Sequence, residues 1–219
     1  NYFMVTFTIP FELRPLAWYF QEKIYAILFA CAVSTLRDFG QNPKHLGADM
    51  GMTAVLHTQS RPLDFHPHIH VIVPGGGVDK SRRQWKKIKG QYLFNEFNLA
   101  KVFRAKFLEE INQAGLKIPV GVPEKWIADC KHVGTGLPAL KYLSRYLYRG
   151  VIAEKNIVSC RDGEVTFSYI DSKTNQKCTR TLPGEEFLWL VLQHVLPRNF
   201  RRVRDYGFLH GNAKRLLLV

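Results

Sequence analysis

The spacing of apolar and polar positions changes several times along this 219-residue chain, and each change marks an element. The run "FMVTFTI" is β-branched and aromatic and stops at Pro10, which predicts a strand over 3–9. From about 14 to 39, Leu16, Phe20, Tyr25, Leu28, Cys31 and Leu36 recur at roughly helical spacing, until Gly40, Asn42 and Pro43 end the run. Strands follow over 52–59 and, after the loop "SRPLDF", over 68–74. An amphipathic helix is predicted over 102–115 with Gly115 at its end, and a strand over 125–133. A helix over 137–150 has Pro138 in its first turn and Gly150 behind it. Strands near 156–161 and 164–170 flank the tight turn Arg161-Asp162-Gly163, a third lies near 177–182, and a late helix over 184–197 is closed by Pro197. No repeat or low-complexity tract interrupts the order. Strands and helices in this succession are best layered as an antiparallel sheet with helices packed on it, an α+β fold.

Composition narrows the partner. With 46% hydrophobic and 22% charged residues, the chain can build a real core as one domain, or one domain with an appendage. Its most apolar stretch, "IYAILFACAVSTL", is shorter than the ~20 residues a membrane helix needs, so no membrane is implied. A net charge of +13 favours a polyanion, most simply nucleic acid. Cys31, Cys130, Cys160 and Cys178 form no CxxC zinc signature and read as free thiols in a reducing cytoplasm. The chain begins without Met or a signal peptide and reads as a fragment.

The chemistry concentrates in "HPHIHVIVPGGG". On a strand His66, His68 and His70 share one face, and Ile69, Val71 and Val73 share the other. Two imidazoles at i and i+2 can converge on one metal ion. His57, in the preceding strand, reaches the same face if the two strands pair antiparallel, and it is favoured as third ligand over His66. Pro67 disturbs the ladder, so regular strand geometry is expected from His68. The alternative is a set of half-buried histidines, each satisfied by ordinary hydrogen bonds, but three in alternation with a fourth nearby favour a ligand set. Asp64 could orient a ligand from behind.

The stretch "KYLSRYLYRG" puts Tyr142 and Tyr146 at i and i+4, with Arg145 and Arg149 at the same spacing beside them. A tyrosine with pKa near 10 is a poor nucleophile at neutral pH, and guanidinium groups or a metal would favour its phenolate. An aromatic core stripe with Leu140, Leu143 and Leu147 is the competing reading. Two basic-aromatic stretches could follow a nucleic-acid backbone: Arg82, Arg83, Trp85, Lys86, Lys87 and Lys89 in one, Arg201 and Arg202 in the other. Both could equally be solvated surface. Gly75, Gly76 and Gly77 suit either a flexible turn or a backbone that DNA approaches closely. Lys131 and His132 read as a plain strand end, and His45, His194 and His210 as structural or surface residues.

Taken in order, His68-Ile69-His70, the tyrosine pair, and "FLWLVLQHVLPRNFRRVRDYGFL" resemble the HUH endonuclease superfamily, and within it the two-tyrosine rolling-circle transposases of bacterial insertion sequences. The likeness runs from about Tyr2 to Leu217. The His57–His68 interval is also similar to the three-histidine site of conjugative relaxases. The resemblance implies a single catalytic domain over 1–219, of which 156–219 supply a hairpin, a helix and a basic tail. The HUH strand would be central in the sheet, with the tyrosine helix over it. Relatives usually carry a cysteine-rich zinc-binding region ahead of this domain, and this chain has none. Mg²⁺ or Mn²⁺ would sit on His68, His70 and one more ligand, and polarise the scissile phosphate of single-stranded DNA at transposon ends and target. Tyr142 or Tyr146 would attack to form a 5′-phosphotyrosine and a free 3′-OH. The setting would be the bacterial cytoplasm, at the nucleoid when acting. A plasmid replication initiator or a relaxase shares this chemistry. A non-catalytic single-stranded nucleic-acid binding module would have the charge but no use for the histidines and tyrosines. A metal hydrolase without a covalent intermediate would want carboxylates beside the histidines.

Overall fold

In the computed structural model, which describes residues 1–138, 140, 141, 144, 150–172 and 174–213, the histidine strand is the middle strand of the main sheet. The sheet comprises β1 (Tyr2–Thr8), β2 (Met52–Gln59), β3 (Phe65–Pro74), β6 (Ala128–Gly134) and β10 (Val203–Tyr206). Their order is β10-β2-β3-β1-β6, and every pairing is antiparallel. One face of this sheet is apolar because alternate residues supply it: Phe3, Val5 and Phe7 from β1, Ala54 and Leu56 from β2, and Ile69, Val71 and Val73 from β3, all essentially inaccessible. Helices α2 (Gln21–Gln41) and α3 (Glu96–Gln113) cover it with Ile24, Leu28, Phe29, Phe103 and Phe107. The α+β architecture with an antiparallel sheet and flanking helices is therefore the one the sequence predicts.

The boundaries differ in instructive ways. The helix predicted over 14–39 is two helices. α1 (Arg14–Tyr19) ends at Phe20, whose φ of −124° and ψ of 46° are not helical, and α2 starts afresh at Gln21. The break turns α1 toward β3, where the Trp18 ring meets Phe65 edge-on at 5.4 Å. α3 starts at Glu96, ahead of the predicted 102, because the Asn95 side chain accepts from the Asn98 amide at 3.0 Å and caps it. A hairpin of β4 (Gly76–Asp79) and β5 (Gln84–Lys87), and the edge strand β10, were not predicted. Gly75–Gly77 are neither a turn nor an open backbone. A Cβ on Gly76 would meet the Lys86 carbonyl at 2.6 Å, and one on Gly77 the Asp49 carbonyl at 2.7 Å, so these glycines serve close packing within the protein.

A second sheet of β7 (Ile157–Arg161), β8 (Glu164–Ile170) and β9 (Lys177–Pro183) carries α4 (Gly184–Leu192), which ends before the predicted 197. Val165, Phe167 and Phe187 bury Leu63 from the β2–β3 loop. Arg180 donates to the Pro62 carbonyl at 3.0 Å and to Asp64 at 2.8 Å, and His194 bridges Thr58 and the Leu63 carbonyl. The chain then returns to the main sheet as β10. No helix among the described residues is long and apolar enough to cross a membrane. Tyr142, Tyr146, Arg145 and Arg149 lie outside the described residues.

Candidate metal centre

Register places the three histidines. β2 and β3 pair so that His57 stands directly opposite His68, and β1 places Thr6 opposite His70. Directly opposed residues of an antiparallel pair share a face, so all four side chains project from the face away from α2 and α3. Ring centroids are 5.4 Å apart for His57–His68 and 4.8 Å apart for both His57–His70 and His68–His70. One nitrogen from each of the three lies within 4.8 Å of the others. His57 and His70 are buried and His68 is half-buried.

The second nitrogens are used to fix the rings. The His66 carbonyl accepts from His68 Nδ1 at 2.7 Å, which puts the proton on Nδ1 and leaves Nε2 a lone pair. Thr6 Oγ1 is 2.8 Å from His70 Nδ1 and anchors that ring the same way. Burial holds His68 down to about 4, against the partly opposing pull of the His66 carbonyl. Burial first, then the neighbouring His68 and His57, hold His70 far below the ordinary histidine value. Both are neutral at pH 7, the protonation state that ligates metal. Three imidazoles with no carboxylate among them form a donor set that fits a divalent cation of borderline character.

His66 is adjacent to His68 but is not one of the three histidines whose nitrogens converge. Two residues of β3, His66 and Pro67, oppose the single Thr58 of β2, a bulge that places the proline where a missing amide costs no ladder bond. The strand nevertheless includes Phe65 and His66, ahead of the expected start at His68. His66 Nδ1 accepts a short hydrogen bond from Arg14, and its pKa falls to about 4, chiefly through burial. Asp64 does not reach the histidines, being held by Arg180 and by Ser60.

The basic residues divide by whether the protein already uses their charge. Arg82, Arg83, Trp85, Lys87 and Lys89 are exposed on or beside the β4–β5 hairpin. Lys86 is spent internally, 3.0 Å from Asp79 and 2.9 Å from the Gly47 carbonyl. Arg201 is exposed, whereas Arg202 is half-buried and donates to the Leu56 carbonyl at 3.1 Å, tying β10 to β2. Two residues at the centre escaped the sequence reading. Thr6 was visible only as a polar position in an apolar strand, and Arg14 only as a helix-starting cation.

A family model described as "Putative transposase" matches residues 51–216. "Putative transposase y4qJ" of Sinorhizobium fredii (strain NBRC 101917 / NGR234) is 34% identical over 239 residues, covering 98% of this chain and 60% of that protein. "Transposase for insertion sequence element IS801" of Pseudomonas savastanoi pv. phaseolicola is 29% identical over 223 residues, covering 94% of this chain and 53% of that protein. The chain thus spans a little over half the length of these relatives. A solved structure described as "The structure of TrwC complexed with a 27-mer DNA comprising the recognition hairpin and the cleavage site" aligns with a TM-score of 0.40 and 14% identity, over 91% of this chain and 68% of that one.

Proposed function

The chain belongs to this transposase family, and on that premise we propose that it nicks and rejoins single-stranded DNA through a covalent 5′-phosphotyrosine. The observation that carries the proposal is the convergence of His57 from β2 with His68 and His70 from the central strand β3, with nitrogens within 4.8 Å of one another. A divalent cation held there supplies Lewis-acid polarisation of a phosphate and a template for its geometry. Of the two expected cations, Mn²⁺ suits three imidazoles better than the harder Mg²⁺.

The nucleophile is proposed from sequence as Tyr142 or Tyr146. The phenolic oxygen, having lost its proton, attacks phosphorus. The bond from phosphorus to the 3′ oxygen breaks, and that oxygen leaves and takes up a proton. Because one phosphodiester replaces another, the free 3′-OH can attack the phosphotyrosine and restore a DNA strand. A second tyrosine allows a second strand to be held at the same time. The tyrosine segment is entered from the end of β6 and left at Gly150, whose carbonyl accepts from Gln59 at 3.4 Å. Gln59 is two residues beyond His57 on β2, which supports a return of the chain close to the histidine face. Residues 1–219 act in this reading as one catalytic unit, in which Val165, Phe167, Arg180, Phe187 and His194 buttress the end of β2 and the β2–β3 loop. Recognition of transposon ends belongs to the whole transposase.

The test is adduct formation. Labelled single-stranded oligonucleotides incubated with the protein and Mn²⁺ should leave label on the protein through denaturing electrophoresis. The adduct should vanish with chelator and with His68→Ala, and Tyr142→Phe and Tyr146→Phe should identify the attacking residue. Binding of the same oligonucleotides with no adduct under any condition would leave a binding module in its place.

A further inference from the structure

Beside the three histidines stands a cation, Arg14, that no carboxylate pairs with among the described residues. β1 ends at Thr8, opposite His68, and the chain turns through Pro10 into α1, which delivers Arg14 to the side of His66. The guanidinium lies over the Phe11 ring, 5.2 Å from its centroid, and Phe11 is itself 70% exposed. Among the described residues no carboxylate is within ion-pair distance of Arg14. Asp64, the carboxylate that acts on Arg14 most strongly, is paired with Arg180. Asp64 and Glu12 act on Arg14 only from a distance, and burial pulls its pKa down. Its Nε–H is buried with no acceptor among the described residues.

A half-buried guanidinium that is neither paired nor fully hydrated is costly unless an anion completes it. Stacking on Phe11 and the bond to His66 hold the planar fork in one orientation, which is how arginine recognises phosphate oxygens. His66 connects it to the centre, its ring centroid 5.2 Å from that of His68. We infer that Arg14 is a phosphate-binding residue of this centre, taking a nonbridging oxygen of the DNA strand that crosses His57, His68 and His70. The inference rests on the nicking reading for its substrate, and it also accounts for the alternate histidine: His66 orients Arg14 rather than ligating the metal.

Three readouts on Arg14→Gln test this with a mixed-sequence single-stranded oligonucleotide and Mn²⁺. The slope of log affinity against log salt should become shallower by about 0.7, the share of one phosphate contact on a single strand. The rate of adduct formation at saturating DNA should fall about 10²-fold, as for loss of one preorganised donor. The Mn²⁺ affinity of the DNA-free protein should hold or tighten, because a positive charge near the cation has been removed. Arg14→Lys, which keeps charge and most of the bulk, guards against misfolding and should keep the slope while losing rate. Weakened Mn²⁺ binding in parallel with the rate would reduce Arg14 to a prop for the histidines and overturn the inference. An unchanged slope, or a slope change with no loss of rate, would overturn it as well. If the wild-type protein binds DNA but forms no adduct, the nicking reading fails while the slope still judges Arg14. If it binds no DNA, both fail.

Discussion

At the scale of single residues, three imidazoles are useful only if their rings are held. The alternation His66, His68, His70 is legible in sequence because strand periodicity puts every second side chain on one face. What holds the rings is not legible. Thr6 becomes the anchor of His70 only because β1 pairs with β3 in the register Thr6↔His70, a contact across 64 positions that no local pattern encodes. Removing that hydroxyl without changing shape tests the arrangement. Thr6→Val should lower Mn²⁺ affinity roughly 10- to 100-fold, the usual cost of losing a partner behind a metal ligand, with little change in folding stability. Titration calorimetry of both proteins measures it, and equal affinities would mean that Thr6 does not orient His70. His66 shows the opposite limit of sequence reading. Its place in the alternation made it a rival ligand, and the bulge at His66-Pro67 together with Arg14 gives it a different partner.

At the scale of elements, long apolar periodicities were readable and interruptions were not. The break at Phe20 has no proline or glycine to announce it. β10 was invisible because four residues, Val203–Tyr206, two of them charged, directly behind Arg201 and Arg202, look like any solvated loop. The second sheet was predicted strand by strand, but its attachment to the first was not, because it runs through residues read as unremarkable. His194 is the clearest case: it is buried, 3.1 Å from Thr58 Oγ1 and 2.9 Å from the Leu63 carbonyl. Since a carbonyl can only accept, Nε2 carries the proton and Nδ1 accepts from the threonine hydroxyl. Burial, the leading cause, lowers the His194 pKa from its ordinary 6.5, against weaker opposing pulls from the Leu63 carbonyl and Asp64. Below that value the unfolded chain takes up a proton that the folded one resists, so the contribution is fully present above 6.5 and is lost as the pH falls below it. His68 and His66, with folded values of about 4, act in the same direction between 6.5 and 4. The part belonging to His194 is therefore the difference between two proteins. Denaturant titrations of wild type and His194→Gln should show a smaller loss of stability on acidification in the variant, and identical losses would exclude His194 from the linkage.

At the scale of the whole molecule, a charge of +13 says that a polyanion is welcome but not where it lies. The structure separates cations free to meet phosphate from those already consumed, and sequence treats both alike. Lys86 and Lys87 are neighbours in the same basic stretch, yet one is locked onto Asp79 and Gly47 while the other points to solvent. The hairpin that carries them leaves β3 at Pro74, six residues from His68, and pairs back to Asp49 ahead of β2. At ~3.3 Å per residue that is about 20 Å of strand between the two regions. This is roughly six nucleotides at the duplex rise of ~3.4 Å, and fewer for a more extended strand. Adjacency in sequence therefore does not make the hairpin part of the metal centre, and DNA would have to be long enough to reach both. Lys87→Ala with Lys89→Ala should flatten the salt dependence of binding by up to about 1.4, two single-strand contacts, on a long oligonucleotide. The same substitutions should change nothing on one too short to span the sheet. Lys86→Ala should leave the slope alone and instead destabilise the fold, because Asp79 loses its partner. Fluorescence anisotropy over a salt series, on oligonucleotides of graded length, separates these outcomes. A flattened slope on the shortest strand would bring the hairpin to the reacting phosphate, whereas no change at any length would make its cations ordinary solvated surface.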